Sequence, residues 1–416
     1  MFKRVPGTKD ILPDQIDWWQ KIEGISRQIL SIHNYLEIRP PLIEEARLFN
    51  RSLGESTEIV KKQMFLIKNE QDLYALRPEG TASIVRAYIE NNLDKTSGFI
   101  KVYYIGPMFR MERPQKGRLR QFHHIGVEAV GSQDEAIDIE MISLADNLLR
   151  AYSITGYKIA LNSLGCLKDK KELTRILQER LKGKVEELCA ECRDRFGRNI
   201  LRILDCKNES CRKVVDKLNI GNSYLCPECQ AHFAGVKDGL DSLKIDYELN
   251  PSLVRGLDYY TRTVFEIKHP DLGAQQDALG AGGRYDNLVK ELGGPDAGAI
   301  GFALGVERLL LVTSHQSPVT SKNLVYMINL GEEAKCQGIK LLYELRKAGI
   351  TADTDYENKS LKGAMRKAND LNARFVLIIG EDELKEKVVT LKDMSDSSQE
   401  KVKIDEIIEN IKRRKP

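Results

Sequence analysis

No stretch of the 416-residue chain approaches the roughly 18 consecutive apolar residues of a membrane-spanning helix, so a helical membrane span is not expected. The first residues, MFKRVPGTKDILP, have neither an apolar core nor a small-residue cleavage site, and they do not read as a secretory signal. A strong charge of either sign is missing too. The 64 Lys and Arg residues oppose 61 Asp and Glu, leaving a formal net charge of +3. That balance is too small to predict polyanion binding by the whole molecule, so any nucleic-acid surface has to be a local patch. Internal repeats and long low-complexity segments are also missing. The expected location is the cytoplasm, where the eight cysteines stay reduced and clustered ones point to metal before disulfides.

What is present is ample apolar material, 42% of residues, in a chain long enough for two or three domains at about 100–200 residues each. Residues 14–34 carry apolar side chains at helical spacing, and helical patterns recur at 79–92 and 134–153. Residues 99–109, 123–131, 262–267 and 299–304 read as strands. Strands and helices segregate rather than alternate, which predicts an α+β fold over this part. Residues 166–240 are charged, helical in pattern and Cys-rich, and they interrupt two sheet-forming halves, 1–165 and 241–315. A polar stretch, Ser314–Asn323, reads as a linker. Beyond it, over 322–416, strands and helices alternate in a compact α/β domain: strand NLVYMINL, helix 332–348, strand ITADTDY, helix 358–371, strands RFVLIIG and KVVTLKD, and helix 404–413.

Three segments concentrate arginine, glycine and aromatics. In GPMFRMERPQKGRLRQFHHIGVEAVG (Gly106–Gly131), two apolar stretches flank a turn with five Arg or Lys residues between 110 and 120. This is a hairpin with a long loop, either a solvated tip or a polyphosphate clamp, since guanidinium forks match phosphate oxygens in pairs. In GAGGRYDNLVKELGG followed by IGFALGVERLLL, glycines permit close backbone approach to a ligand. Arg308 there follows a strand at the start of a helix, placed to face an anion or simply to sit on the helix surface. In RGLDYYTRTVFE (Arg255–Glu266), an arginine adjoins a glycine, and Tyr259 and Tyr260 are adjacent. In extended backbone one of these tyrosines faces each side of the sheet.

Six of the eight cysteines fall between 189 and 229. Cys189-x2-Cys192 and Cys226-x2-Cys229 have the spacing of zinc knuckles, which makes these four the expected Zn²⁺ ligands. Cys206 and Cys211 offer an alternative ligand pair, and reduced cysteines in a small helical insertion are the other reading.

Taken together, FRMERP in a hairpin and GVERLLL after GAGGRYD resemble motifs 2 and 3 of class II aminoacyl-tRNA synthetases. RPPLIEEARLF (Arg39–Phe49) sits where the motif 1 dimer element of that class lies. LVRGLDYYTRTVFE, VPGTKDILP and LRPEGT (Leu76–Thr81) resemble the histidine-specific members, and the resemblance runs from residue 4 to about 410. It implies a six-stranded antiparallel catalytic sheet, an insertion domain, a C-terminal α/β anticodon-binding domain, and a homodimer. The implied substrates are L-histidine, ATP with Mg²⁺, and tRNA(His), joined through a histidyl-adenylate.

The resemblance also implies roles. Arg110 holds the α-phosphate and the histidine carboxylate, Arg308 holds the γ-phosphate, and Arg255 stabilises charge at the α-phosphate. Phe122 stacks on adenine and Glu112 helps bind the nucleotide. Glu79 and Thr81 hold the α-ammonium, Glu128 and Tyr260 read the imidazole, and Tyr259 and Tyr285 line the pocket. Arg118 and Arg120 on the loop are expected to meet tRNA. So are Lys362 and Arg366, which share a helix face with Lys367, although that face reads equally as merely solvated. One departure stands out: where the family has FHQ, this chain has FHH, with His124 in place of glutamine. A His124 titrating at its ordinary value, about 6.5, would repel the α-ammonium at lower pH and weaken histidine binding. The alternatives are a catalytically inactive paralogue acting as a regulatory subunit in histidine biosynthesis, and a sensing module built from synthetase parts. Arg110, Arg255, Arg308 and the C-terminal domain speak against both.

Overall fold

The structure, a computed structural model, describes residues 2–54, 57–273, 277–313, 323–357 and 359–414. They fall into two compact units, one within residues 1–317 and the other within 318–416. The expected linker Ser314–Asn323 lies outside the described residues except for Asn323.

The first unit contains strands β1 (Leu36–Glu37), β2 (Ile43–Glu45), β3 (Phe65–Asn69), β4 (Asp72–Leu76), β5 (Ile100–Phe109), β6 (Gln121–Val130), β7 (Lys158–Ser163), β8 (Glu248–Leu249), β9 (Thr261–Lys268), β10 (Ala278–Arg284) and β11 (Ala299–Gly305). The main sheet runs β1-β5-β6-β11-β10-β9-β7-β8. Its six central strands pair antiparallel, as expected. The difference lies at the edges, where β1 and β8 each add a two-residue strand in parallel, making the sheet mixed.

Alternation along the strands decides which residues face the cleft. On β6, Ile125, Val127 and Ala129 pack against Met141, Leu144 and Leu148 of helix Ala136–Ala151 and against helix Ile16–Ile32. Burial of each large apolar side chain there contributes roughly 1.5–3 kcal/mol. The odd-numbered set being committed to this core, Phe122, His124 and Glu128 turn to the opposite face. The neighbouring strand β11 puts Gly301, Ala303 and Gly305 on that face, paired with Glu128, Gly126 and His124. A Cβ at Gly301 would stand 1.7 Å from Glu128 Oε2, so the position has to be glycine for the carboxylate to lie where it does.

Between β7 and β8 the chain is helical, with helices Leu167–Leu181, Ala190–Arg198, Glu209–Asp216 and Pro227–Ser242. Leu173, Leu177 and Leu181, one helical turn apart, enter the same core as Tyr88, Val264 and Tyr259 of the sheet half. A second, three-stranded sheet, β2-β4-β3, was not anticipated. Its hairpin alternates FLIKN and DLYAL about a polar turn, and Ile43, Leu66, Ile67 and Leu73 remain exposed on it.

The second unit holds β12 (Val325–Asn329), β13 (Ala352–Thr354), β14 (Phe375–Ile379), β15 (Val388–Asp393) and β16 (Gln399–Lys403), in the order β13-β12-β14-β15-β16. The anticipated alternation is present, with helices Glu332–Lys347, Leu361–Asp370 and Ile407–Arg414. Strand β16 and the short helix Glu381–Glu386 are additions. Among the described residues, no helix is long and apolar enough to cross a membrane.

Candidate functional site

A cleft of about 210 Å³ opens on the sheet face reached by Phe122, His124 and Gly301. Arg110, Arg255 and Arg308 line one part of it; Glu79, Thr81, Tyr259 and Tyr260 line another. Ala278, Gly280, Ala303 and Gly305 on β10 and β11 keep its floor low, which leaves room for a ligand against the backbone.

The three arginines come from three separate segments, and each is held by a different device. Arg110, just after β5, donates from Nε to the Pro78 carbonyl at 2.9 Å, and its guanidinium lies 5.3 Å from the Phe122 ring centre. Arg308, in the first turn of helix Val306–Thr313, donates to Gly117 O at 3.1 Å and Ala278 O at 2.5 Å. Arg255 donates from Nη1 to Glu266 Oε1 at 2.6 Å. Its Nε is buried and has no hydrogen-bond partner among the described residues. A buried guanidinium donor left unpaired costs about 1–3 kcal/mol, which an incoming anion recovers. Glu112 is buried between Arg118, with which it forms a close ion pair, and Arg110, 3.9 Å away.

The other part of the cleft has two buried carboxylates, Glu79 in its lining and Glu128 just behind it. Glu79 accepts from the backbone N–H groups of Thr81 at 2.6 Å and Ala82 at 2.9 Å, which caps the helix Thr81–Glu90. Glu128 accepts from the Thr81 hydroxyl at 2.7 Å and from the Tyr285 hydroxyl at 2.5 Å. Burial outweighs these donors and pushes the Glu128 carboxyl up to about 8; it pushes the Glu79 carboxyl up as well. An acid poised this close to neutrality suits recognition of a group that itself gains and loses a proton near pH 7.

Several expectations need correction. Tyr259 and Tyr260 do not face opposite sides of the sheet. They precede β9 in a turn, their ring centres are 4.7 Å apart, and both line the cleft. Alternation holds only in extended backbone, and here Arg262 adopts a φ of +43° beside a register shift between Gly283 and Arg284. His124 does not titrate near 6.5 either. Burial, followed by the nearby charges of Arg110 and Arg308, lowers it to about 3, so it stays neutral at physiological pH. Its Nδ1 is buried without a partner among the described residues. Its neighbour His123 points the other way, bonding Glu307 through Nδ1 at 3.0 Å and meeting Trp19 edge-on at 4.8 Å.

The cysteines also pair differently. Cys189 and Cys192 converge with Cys206 and Cys211, whereas Cys226 and Cys229 converge with Cys166 and Asp169. The two CxxC pairs therefore cannot form one ligand set. Helix Glu209–Asp216 returns past the start of helix Ala190–Arg198, while helix Pro227–Ser242 begins beside the start of helix Leu167–Leu181.

The remaining predicted positions are placed as follows. Arg118 is exposed, with its Nε turned to Glu112. Arg120 is held through its Nε by Glu112 O at 3.2 Å and through Nη1 by Pro6 O at 3.1 Å. Lys362 and Arg366 are exposed on helix Leu361–Asp370, opposite buried Ala364 and Ala368.

Sequence reasoning missed four contributors. Tyr104 lies in the cleft against Gly80 and Gly126, where any Cβ would meet its ring at close to 2 Å. Arg77 ties Pro40 O at 2.9 Å to Pro107 O at 3.0 Å and so joins three segments of the resemblance. Glu266 and Glu307 serve as partners of Arg255 and His123. The alternation of β5 was the available signal for Tyr104; the others depend on long-range contacts.

A family model described as Histidyl-tRNA synthetase matches residues 7–309, and one described as Anticodon binding domain matches residues 324–414. The chain is 45% identical over 415 residues to the histidine–tRNA ligase of Desulforamulus reducens, covering 99% of each. It is also 45% identical to that of Thermodesulfovibrio yellowstonii, covering 98% of this chain and 97% of the relative. Among solved structures, apo histidyl-tRNA synthetase of S. aureus superposes with a TM-score of 0.81 at 34% identity, over 99% of this chain and 100% of that one.

Proposed function

The chain belongs to the histidyl-tRNA synthetase family, and we propose that its cleft joins L-histidine to tRNA(His) at the expense of ATP. One observation carries the assignment of chemistry to residues. Arg110, Arg255 and Arg308 open on the same cleft as the carboxylate pocket of Glu79 and the Tyr259–Tyr260 pair. In the first step a histidine carboxylate oxygen attacks the α-phosphorus, and diphosphate leaves. In the second, a hydroxyl of the 3′ adenosine attacks the histidyl carbonyl, and AMP leaves. Neither step needs a covalent enzyme intermediate; both need fixed positions and charge stabilisation.

Arg110 brings the histidine carboxylate and the α-phosphate together, since its position is set by Pro78 and its face by Phe122. Arg255 meets charge growing at the α-phosphate with its unpaired Nε, and Arg308 holds the terminal phosphate. Phe122 stacks on adenine, and Glu112 binds the nucleotide. Magnesium, when bound with ATP, offsets charge on the outer phosphates. Glu112, which lines the cleft beside Arg110, would help to hold it. Glu79 and Thr81 bind the α-ammonium, as a carboxylate must in a partly dry site. Glu128 and Tyr260 read the imidazole beside Tyr259 and Tyr285, and His124, neutral, lends the pocket a hydrogen-bonding edge.

Arg118 and Arg120 would meet the acceptor end of the tRNA, and Lys362 and Arg366 the phosphates of the anticodon arm. The domain reading follows: residues 1–165 and 241–315 form the catalytic domain, 166–240 the insertion, and 322–416 the anticodon-binding domain. A homodimer is the proposed assembly, supported by exposed Ile43, Leu66, Ile67 and Leu73 in and beside the motif 1 segment. The cytoplasm is the proposed location. The regulatory-subunit alternative is not favoured, because full-length relatives are named ligases and the arginines are in place. Histidine-dependent ATP–diphosphate exchange tests the proposal: correctly folded protein that fails to exchange label with histidine overturns it.

A further inference from the structure

We propose that Cys189, Cys192, Cys206 and Cys211 bind one Zn²⁺ as a tetrahedral tetrathiolate that holds in place the segment carrying Arg255. Their four sulfurs all lie within 4.8 Å of one another, although they come from three successive elements. Cys189 precedes helix Ala190–Arg198 and Cys192 lies in its first turn. Cys206 follows the turn Ile200–Ile203, and Cys211 lies in helix Glu209–Asp216. The Cys189 and Cys206 sulfurs are 3.9 Å apart, too far for a disulfide. That spacing matches the edge, about 3.8 Å, of a tetrahedron with zinc–sulfur bonds of about 2.3 Å.

The hydrogen bonds to these sulfurs are those a thiolate accepts. The Cys189 backbone N–H donates to Cys211 Sγ at 3.2 Å, and the Asn208 N–H donates to Cys206 Sγ at 3.4 Å. Cys192, Cys206 and Cys211 are buried and Cys189 is half-buried, and among the described residues the hydrogen bonds at these four sulfurs offer their thiol protons no acceptor but one another, which is weak. The second cysteine cluster differs on this point. Asp169 accepts from the Cys166 N–H at 3.2 Å and the Cys226 N–H at 3.0 Å, and it serves as acceptor for the Cys226 and Cys229 thiols. A carboxylate that caps two helices and accepts hydrogen bonds from two thiols accounts for that cluster without a metal.

The clasp reaches the cleft through two contacts. Arg202 donates from Nη1 to the Arg255 carbonyl at 2.9 Å, and Asn199 donates from Nδ2 to Asp258 Oδ1 at 3.0 Å. Both residues lie between Cys192 and Cys206, so the metal fixes the loop from which the Arg255 segment is held. This role rests on the proposed ligase activity, whereas the metal site does not.

The test is metal analysis of the full, untagged chain prepared without chelator, followed by Co²⁺ exchange. The expected result is about one zinc per chain and, after exchange, the visible bands of tetrahedral Co²⁺ with sulfur charge transfer. Cys206→Ser loses that metal, Cys206→His retains it with altered cobalt bands, and Cys226→Ser leaves it unchanged. The histidine variant keeps the comparison informative even if the serine variant folds poorly. Fewer than about 0.2 zinc per chain with no cobalt uptake overturns the proposal, as does metal lost from Cys226→Ser but kept in Cys206→Ser. If the metal is present and its removal leaves histidine-dependent exchange unchanged, the link to Arg255 is overturned.

Discussion

The Tyr285 hydroxyl stands 2.5 Å from Glu128 Oε2, buried behind the cleft lining, and bonds the carboxylate oxygen that Thr81 does not. The bond favours the ionised acid and opposes the upward push of burial. Tyr285→Phe removes it, raises the Glu128 pKa further and weakens the imidazole reader. Loss of a hydrogen bond to such a group costs about 1.5–3 kcal/mol. The Michaelis constant for histidine should therefore rise by about 10- to 100-fold, with a smaller change in turnover. Diphosphate exchange at varied histidine measures both, and an unchanged Michaelis constant would take Glu128 out of the recognition set.

The proton on Glu128 sets a pH profile. In the free site this acid is protonated up to about 8, and the imidazole of free histidine is neutral above about 6.5. Between those values one proton can pass from Glu128 to imidazole, giving a carboxylate–imidazolium pair with no exchange with solvent. Above pH 8 the empty site has lost that proton and must recover it, so affinity falls. Below pH 6.5 free histidine already carries a proton, and binding to protonated Glu128 must release one, so affinity falls again. The expected profile is level from pH 6.5 to 8 and declines on both sides. Calorimetry at pH 7.2 in two buffers of different ionisation enthalpy should show no net proton transfer; half a proton or more would sink the scheme. The decline below pH 6.5 should persist in His124→Gln, because His124 itself titrates at about 3.

How far these residues were legible depended on whether strand alternation governed them. Phe122, His124 and Glu128 fall on one face of β6 simply because Ile125, Val127 and Ala129 belong to the core. The same rule misplaced Tyr259 and Tyr260, because a turn precedes the strand and a left-handed Arg262 stands at its start. Linear spacing found the cysteines but paired them wrongly, since partners were set by which helices return past each other. His124 was identified as unusual, yet its titration followed from burial and two arginines, neither visible in a chain without coordinates. Elements such as β16 and the β3–β4 hairpin were missed because their strands are short and largely exposed.

Arg255 offers a sharper test of the phosphate assignment. Its Nη1 is paired with Glu266 at 2.6 Å, while its buried Nε awaits a partner. Arg255→Gln removes the nearer of the two cations beside Glu266, leaving Lys268 at 3.4 Å, and removes the donor aimed at developing charge. Adenylate formation should slow by about 10²–10³-fold, the usual loss for one such donor. Because the imidazole pocket is separate, histidine binding should change by less than tenfold. Single-turnover adenylate formation with histidine titration separates the two, and equal losses in both would assign Arg255 to substrate binding instead.

The exposed apolar residues of the small sheet predict an interface. Leu66 is 53% exposed, and Ile43, within the segment that resembles motif 1, is 51% exposed. Two glutamates placed there, Ile43→Glu with Leu66→Glu, should convert a dimer to monomers without unfolding the chain. Sedimentation velocity with circular dichroism reads both, and a dimer that survives the double substitution would move the interface elsewhere.

Arg284 makes the last prediction, one that joins stability to the site. It is fully buried, donating to Asp138 at 2.7 Å, Asp286 at 2.8 Å and the Asp134 carbonyl at 2.7 Å. His232 also approaches Asp138, at 3.3 Å. The arginine in GAGGRYD therefore binds no phosphate; it anchors the end of β10 from below. Breaking one side of a buried pair costs about 3–5 kcal/mol, because the remaining charge has no solvent to turn to. Asp138→Ala should thus lower the urea midpoint of the first unit markedly. Arg284→Met combined with Asp138→Leu should recover part of the loss by removing both members of that pair, with Asp286 still facing Arg262 at 3.9 Å. Since Tyr285 is the next residue, the single substitution should also raise the Michaelis constant for histidine in protein that is still folded. A destabilised protein with an unaltered Michaelis constant would mean that Tyr285 holds its place without this anchor.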